Sequence, residues 1–427
     1  MIAILIALTS VLSSIPCIII EYKKKSPYFL FVMASSIIFI VPNFLNSIFE
    51  LVPQELTLKA ALYFSLFNCF YFIFRLSALS IINVQFDWNY ESNINTLYYK
   101  KYKLTYVLSY LFVIVVAIYS SIYAITGSFS LSSAMASSWW DTFRTGSRWQ
   151  TLSFYLFYIS GSLVIICSST RSKVLCVVLL FGLAYTLFVL RSRTYFIAYA
   201  APFFVYYCFT KLHNLRQVVN IILAIVFVLI GYSLTREIRI SGGLIEFISG
   251  DIVIADIVTR NILEGGEFER INGFYKAISG DVSHEDFYLG NNIIRTILMP
   301  FPSSFTFGVK PSEITYAIWD AYRGRSEIGG QSYHPTIYGL AFFDLGWLSV
   351  VIYPAFLVII FCISEVSVSK MPDILRINVL SVMCLTALVL SRGAFYNAVA
   401  FWFWPFVMLY LVSIVFYFLL RVVKKGV

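Results

Sequence analysis

The sequence predicts an all-α polytopic membrane protein with about eleven transmembrane helices. Three observations carry this prediction. The mean hydropathy is +0.82 and only 12% of the residues are charged. Apolar stretches long enough to cross a bilayer recur along the whole chain. These stretches are continuous rather than alternating, which is typical of helices and not of barrel strands. A soluble domain could not bury this much apolar surface.

The predicted spans follow one another closely, with a single long interruption after the eighth. The first span lacks the small-residue cleavage site of a signal peptide, so we expect it to remain in the protein. The connections at 190–194 and 391–394 are very short, so either pair of flanking spans could be one bent helix. The spans are predicted at 2–21, 28–48, 59–84, 104–126, 150–168, 174–190, 194–210, 218–234, 336–363, 377–391 and 394–419.

Basic residues in the short connections predict the orientation, because such residues concentrate on the cytoplasmic side. They fall at alternate connections, so one topology explains them all, with the N-terminus periplasmic and the C-terminus cytoplasmic. The net charge of +9 is therefore mostly a topology signal and does not indicate nucleic-acid binding. The residues are Lys23, Lys24, Lys25, Lys100, Lys101, Lys103, Arg171, Lys173, Lys211, Arg216, Lys370, Arg376, Arg421, Lys424 and Lys425.

The predicted organisation has three parts: helices 1–8 in residues 1–234, a large periplasmic loop in 235–335, and helices 9–11 with a cytoplasmic tail in 336–427. Runs such as LIEFISGDIVIADIVTRNI and PSEITYAIWDAYRG give the loop helix-like apolar spacing. Long loops with such spacing are usually functional. We expect short helices packed over the outer mouth of the bundle.

Arginine dominates the predicted outer side, which carries twelve arginines against Lys59, Lys276 and Lys310. Arginine offers a flat, always charged fork that binds phosphate or carboxylate through two bonds. Pairing with outer Asp and Glu residues is the ordinary alternative. In the stretch TREIRI, Arg236 and Arg239 lie three residues apart and would share one helix face.

The stretch AYRGRSEIGGQSYHP adds Arg323, Arg325 and His334 directly before the ninth span. Pro335 suits the first turn of a helix. His334 would then lie at a helix N-terminus that faces outward and favours anions. A helix-cap histidine is the ordinary alternative, and the neighbouring arginines favour a functional role.

Two short outer turns bring further arginines to membrane level, Arg191 and Arg193 in LRSRTYF and Arg392 in LSRGAF. A helix bundle can bring these turns beside Arg236 and Arg239, although arginines also anchor helix ends at lipid headgroups. We predict that Arg191, Arg193, Arg323, Arg325, Arg392 and Asp344 contact substrate.

Arg75 differs from these because it lies well inside the third span, where a charge is costly. It requires a backbone carbonyl, a water cavity or a carboxylate as partner. Asp344, about three turns into the ninth span, is the acid that the predicted span boundaries place most clearly inside a span. A direct Arg75–Asp344 pair is one hypothesis, although Arg75 lies nearer the inner side.

No metal or cofactor is predicted. All seven cysteines fall in or at the ends of predicted spans, and no spacing of Cys and His is typical of a zinc site. The sequence also contains no internal repeat and no Gly-rich phosphate loop.

Several of these features together resemble the bacterial O-antigen polymerases of the Wzy type, which are related to the O-antigen ligases. The resemblance covers roughly residues 185 to 400. It consists of a polytopic bundle, a large outer loop late in the chain, and a His–Pro before G-x-x-x-x-x-x-G-W-L. The family's essential arginines fall on Arg236 or Arg239, and an R-x10-G pattern falls on Arg239 to Gly250. The ligase histidine motif is only approximated, since Pro335 follows His334 and Gly346 comes one residue late.

The resemblance implies a metal-independent glycosyltransferase of the bacterial inner membrane. Its donor and acceptor would be oligosaccharides linked to undecaprenyl pyrophosphate, and its partners the lipid bilayer, a chain-length regulator and a flippase. The product would be O-antigen or a related surface polysaccharide. Arginine would stabilise the departing pyrophosphate. His334 would accept the proton of the sugar hydroxyl, with Asp344 or Glu327 as alternative bases.

Three other functions remain open at this point. A transporter of lipid-linked sugars usually shows repeats and broken spans around a midplane site. An O-antigen ligase would use the same chemistry on a lipid A core acceptor. A metal-dependent glycosyltransferase that uses lipid-phosphate sugars would carry acids in its first outer loop, where Glu50 and Glu55 lie without a convincing motif.

Overall fold

The computed structural model describes part of the chain. The described residues are 2–82, 86, 97–130, 132–133, 173–190, 270–279, 289–301, 303–315, 336–371, 373–393, 395–400 and 402–404, with scattered positions in 153–160 and 195–199 and residues 318 and 407. All regular secondary structure in these residues is helical. The all-α prediction is confirmed for this part of the chain.

The chain divides into two compact units. The first comprises Met1–Phe86, Glu264–Lys370 and Thr386–Trp402, and the second comprises Asp87–Leu263, Met371–Leu385 and Phe403–Val427. The helices are α1 (Ile2–Lys23), α2 (Phe29–Ser35), α3 (Val41–Phe49), α4 (Gln54–Ile81), α5 (Leu97–Thr126), α6 (Lys173–Phe188), α7 (Arg270–Ser279), α8 (Asn291–Ile297), α9 (Thr336–Leu345), α10 (Ser349–Ser369) and α11 (Asp373–Arg392).

Four helical stretches among the described residues are long and apolar enough to cross a membrane: Ala3–Lys23, Phe29–Phe49, Gln54–Ile81 and Thr336–Ser369. They correspond to the first, second, third and ninth predicted spans. The ninth continues to Ser369, beyond the predicted end at residue 363. The remaining predicted spans stay predictions.

Two of these stretches contain a local change of helix geometry. A π-helical turn, Ser36–Ile40, joins α2 to α3, and a 3-10 turn, Gly346–Leu348, joins α9 to α10. Gly346 has a φ of +56°, a left-handed conformation that costs glycine little. The ninth span is therefore two helices with a turn between them.

The first unit is built around α4, which packs against α1, α3, α7 and α10. Its core contains a cluster of aromatic rings from three helices. The centroid of the Phe64 ring lies 4.9 Å from that of Phe274 on α7 and 4.8 Å from that of Tyr338 on α9. The hydroxyl groups of Tyr63 and Ser349 share a hydrogen bond, with their oxygens 2.7 Å apart. Thus α7, a segment of the predicted loop, belongs to the core of this unit.

The second unit brings α5 and α6 together through polar and aromatic contacts. The hydroxyl oxygens of Ser121 and Tyr185 are 2.5 Å apart, and both residues are buried. The ring of Phe157 stacks on Tyr185 with a centroid separation of 5.7 Å. Burying the tyrosine hydroxyl is tolerated here because Ser121 supplies its hydrogen-bond partner.

Candidate functional site

Asp344 lies at the end of α9 and is fully buried. Its Oδ1 accepts hydrogen bonds from the backbone N–H groups of Gly290 at 3.1 Å and Asn292 at 3.2 Å. Its Oδ2 accepts a bond from the hydroxyl of Tyr353 at 2.8 Å. The Asn292 side-chain amide donates to the same tyrosine oxygen at 2.7 Å. The carboxylate therefore caps the first turn of α8. A helix N-terminus favours an acid here because its first N–H groups have no partner within the helix.

This cap ties a segment of the predicted loop to the span that follows the loop. Gly290 has a φ of +86°, so the sharp turn that delivers the N–H groups to Asp344 is one that glycine adopts at little cost. Both carboxylate oxygens are engaged by protein groups. Among the described contacts, Asp344 positions the segment; its predicted contact with substrate stays a prediction.

A second attachment holds α7 against α3. The Tyr275 hydroxyl donates to Asn43 Oδ1 at 2.8 Å and accepts a bond from Asn46 Nδ2 at 3.1 Å. Burial raises the pKa of Tyr275, so the hydroxyl stays protonated as the donor to Asn43. Two separate segments of the predicted loop, α7 and α8, are thus fastened to helices of the first unit by buried polar contacts.

Arg295 on α8 lies in a polar and aromatic pocket that the sequence did not reveal. Its guanidinium carbon is 4.8 Å from the centre of the Tyr396 ring, its Nη1 donates to the carbonyl of Pro311, and its Nη2 is 3.9 Å from Glu313 Oε2. The hydroxyls of Tyr396 and Thr315 both donate hydrogen bonds to Glu313 Oε1. The buried Nε of Arg295 has no hydrogen-bond partner among the described residues. The sequence signal was only that Arg295 is one of twelve outer arginines.

A third cluster surrounds Arg75, whose side chain is fully buried on α4. Glu21 on α1 accepts from Nε at 2.6 Å and from Nη2 at 3.0 Å, while Glu365 on α10 accepts from Nη1 at 2.9 Å and also from Nη2. Tyr71 donates to Glu21 at 2.7 Å, and Ser26 donates to Glu365 at 3.2 Å. Each carboxylate meets the guanidinium fork with two bonds, an arrangement that arginine favours.

The Arg75 cluster has one more acid than base, and Lys24 lies close enough to act on it. Burial lowers the pKa of Lys24, and the negative charge of Glu365 offsets only part of this effect. The Lys24 Nζ is buried and makes no hydrogen bond to the described residues. With Lys24 the four groups carry no net formal charge, which reduces the cost of placing them in an apolar bundle.

The structure corrects the hypothesis of an Arg75–Asp344 pair. Arg75 does have carboxylate partners, as one of the predicted alternatives required, but they are Glu21 and Glu365. Glu21 was predicted at the very end of the first span and Glu365 just beyond the ninth. Both helices continue past the predicted ends, to Lys23 and Ser369, so that both acids lie within them.

Most of the sequence-predicted site residues lie outside the described part of the chain. Arg392 is the last residue of α11, and nothing is described of its side chain. Asp344 is the one member whose contacts are described. The members outside the described residues are His334, Arg236, Arg239, Arg191, Arg193, Arg323 and Arg325, with the alternative base Glu327.

Thr336, two residues after His334, has an unusual backbone. It has a φ of +69° and is fully buried at the start of α9. A β-branched residue rarely adopts this left-handed conformation, because its Cβ approaches the neighbouring backbone. The strain is of order 1–3 kcal/mol, and strain of this kind concentrates at functional sites.

No family model, curated protein or solved structure matches this chain.

Proposed function

We propose that this protein polymerises oligosaccharide repeat units linked to undecaprenyl pyrophosphate on the periplasmic face of the bacterial inner membrane. The growing chain is transferred from its lipid carrier to a sugar hydroxyl of a new lipid-linked unit. Arg236 and Arg239 stabilise the departing pyrophosphate, and His334 accepts the proton of the attacking hydroxyl. The other outer arginines hold the anionic groups of donor and acceptor.

The observation that carries the proposal is the strained backbone of Thr336 beside the sequence position of His334. A buried, β-branched residue in the left-handed region persists only where surrounding contacts hold it. Here the following helix is held through Asp344, which bonds α8 of the predicted loop. The arrangement supports an α9 that is fixed at its far end, and a general base beside a helix requires that the helix be held in place.

The buried contacts of the first unit also support a site at one end of the bundle rather than along a transport path. The turn at Gly346–Leu348 interrupts a span, as in many transporters. The carboxylate of Asp344, just before this turn, is however already bonded to Gly290, Asn292 and Tyr353. The charges of Arg75 are likewise compensated by Glu21 and Glu365.

The decisive experiment compares two histidine variants in cells and with purified protein. His334→Ala should lower polymerisation by about 100-fold or more, which is the scale for losing a general base. His284→Ala, the other histidine of the predicted loop, should polymerise normally. Equal activity of both variants would remove His334 from the mechanism.

The cellular phenotype distinguishes the polymerase from the alternatives. Deletion of the gene for this protein should leave surface polysaccharide capped with a single repeat unit. Bare core would indicate a ligase, and lipid-linked units trapped on the cytoplasmic side would indicate a flippase. A periplasmic reporter fused at Gly280 should be active and one at Val427 inactive, as the predicted topology requires.

A further inference from the structure

A charge-free, phenylalanine-rich segment follows α8, and we call residues 298–309 the phenylalanine loop. The sequence between Arg295 and Lys310 reads TILMPFPSSFTFGV and contains no charged residue. Within the loop Phe301 is 54% exposed, Phe305 71%, Phe307 92% and Val309 67%. Four neighbouring apolar side chains that the chain itself leaves uncovered are uncommon on a surface that faces water.

The backbone of this loop satisfies much of its own hydrogen bonding. The N–H groups of Met299, Phe301, Thr306 and Val309 donate to the carbonyl three residues earlier, at 2.8 to 3.2 Å. The Lys310 ammonium donates to the Phe301 carbonyl at 3.0 Å, across the base of the loop. Backbone groups bonded in this way lower the cost of moving the segment out of water.

The loop lies beside an exposed apolar surface of α10. Ile297 and Pro300 line one apolar cavity of about 300 Å³ together with Ile359 and Ile363 of that helix. Ile359 and Ile363 are 56% and 59% exposed on a stretch long and apolar enough to cross a membrane. They lie ten and fourteen residues beyond Ser349, or about 15 and 21 Å along the helix.

This depth argues against a loop that stands clear of the bilayer. A span of about 20 residues covers the hydrocarbon core, whereas Thr336–Ser369 has 34. Every 20-residue window of this stretch that begins at residue 340 or later contains Ile359. A segment that shares a cavity with Ile359 and Ile363 therefore reaches the apolar belt of the protein.

We propose that the phenylalanine loop inserts into the bilayer, with Phe305 and Phe307 among the acyl chains. Membrane lipid therefore covers the exposed apolar surface of this loop. At one end of the charge-free stretch, Lys310 supplies a positive charge that anionic headgroups can meet. Arg295, at the other end, is held by the Pro311 carbonyl and the Tyr396 ring. The loop holds α8, and through Asp344 the end of α9, in the bilayer.

This inference does not depend on the proposed chemistry, and fluorescence quenching tests it directly. Phe307→Cys is made in the full-length chain with its seven native cysteines replaced by serine. The new thiol carries a bimane label, and the protein is reconstituted in phosphatidylcholine vesicles. Spin-labelled phosphatidylcholine should strongly quench this label, whereas aqueous iodide should have little effect.

The matched control is Lys276→Cys on α7, an exposed position of the same predicted loop. Its label should respond in the opposite way, to iodide and not to spin-labelled lipid. Phe305→Cys provides a second reporter, and since Phe305 and Phe307 are both largely exposed, neither change removes core packing. Iodide quenching at both loop positions would overturn the proposal. Quenching by neither reagent would also overturn it, because a protein surface would then cover the phenylalanines.

Discussion

Two buried polar clusters of the first unit stabilise charge in an apolar bundle by different means. Around Arg75, one guanidinium meets carboxylates from two other helices. Around Asp344, one carboxylate meets two backbone N–H groups and a tyrosine hydroxyl. The first cluster depends on opposite full charges and the second on neutral donors. A charged residue in an apolar helix therefore does not reveal by itself which kind of partner it has.

The two clusters also connect different parts of the molecule. Arg75 joins α1, α4 and α10, which are stretches that can cross a membrane. Asp344 joins α9 to α8, a segment of the predicted loop, and to the start of α10. The first cluster should therefore govern the stability of the bundle, and the second the attachment of the loop.

The largest expected effect is that of removing the arginine. Arg75→Met leaves Glu21 and Glu365 buried without their counter-ion, which should cost about 3–5 kcal/mol of unfolding free energy. The measurement is reversible denaturation in mixed micelles, together with the amount of protein in the membrane. Lys59→Met on the same helix is the control, because its pairing with Glu55 is exposed and should contribute no measurable stability.

Neutralising the three hydrogen-bonded groups of the cluster sharpens this prediction. Arg75→Met combined with Glu21→Gln and Glu365→Gln removes all three charges, and much of the lost stability should return. If the triple variant is no more stable than Arg75→Met alone, packing and not charge compensation explains the role of Arg75.

A smaller effect is expected at the second cluster. Asp344→Leu leaves the N–H groups of Gly290 and Asn292 without their acceptor, which should cost about 1–3 kcal/mol. Asp344→Asn should cost less, since its amide oxygen can still accept from both. The readout is proteolysis of the segment around α8, which should accelerate in the Leu variant. Equal proteolysis of Leu variant and native protein would contradict an anchoring role.

The smallest effect is expected for the hydroxyl of Tyr275. Tyr275→Phe removes the bonds to Asn43 and Asn46 but keeps the ring in place, so the cost should be about 0.5–1.5 kcal/mol. Hydrogen exchange of the α7 amides would show the local loosening, with the amides of α8 as the internal reference. Loosening of both helices together would indicate that the two attachments are not independent.

The sequence alone predicted the helices of the first, second, third and ninth spans because continuous apolar runs decide them locally. It also predicted that Arg75 requires a partner. The two loop helices α7 and α8 were not among the runs singled out by apolar spacing. With ten and seven residues they are too short to show a clear period, and the start of α8 is decided by Asp344, 52 residues beyond Asn292.

What only the tertiary structure decided is which polar groups meet. Glu21 lies 54 residues from Arg75, and Glu365 lies 290 residues away. Their contact depends on the rotation of α1, α4 and α10 about their axes and on how far each helix extends beyond its apolar run. Composition and hydropathy determine that these helices pack against other helices or against lipid. Rotation and register follow from the packing of side chains between helices, so the partners of Arg75 and Asp344 emerge only when the bundle is assembled.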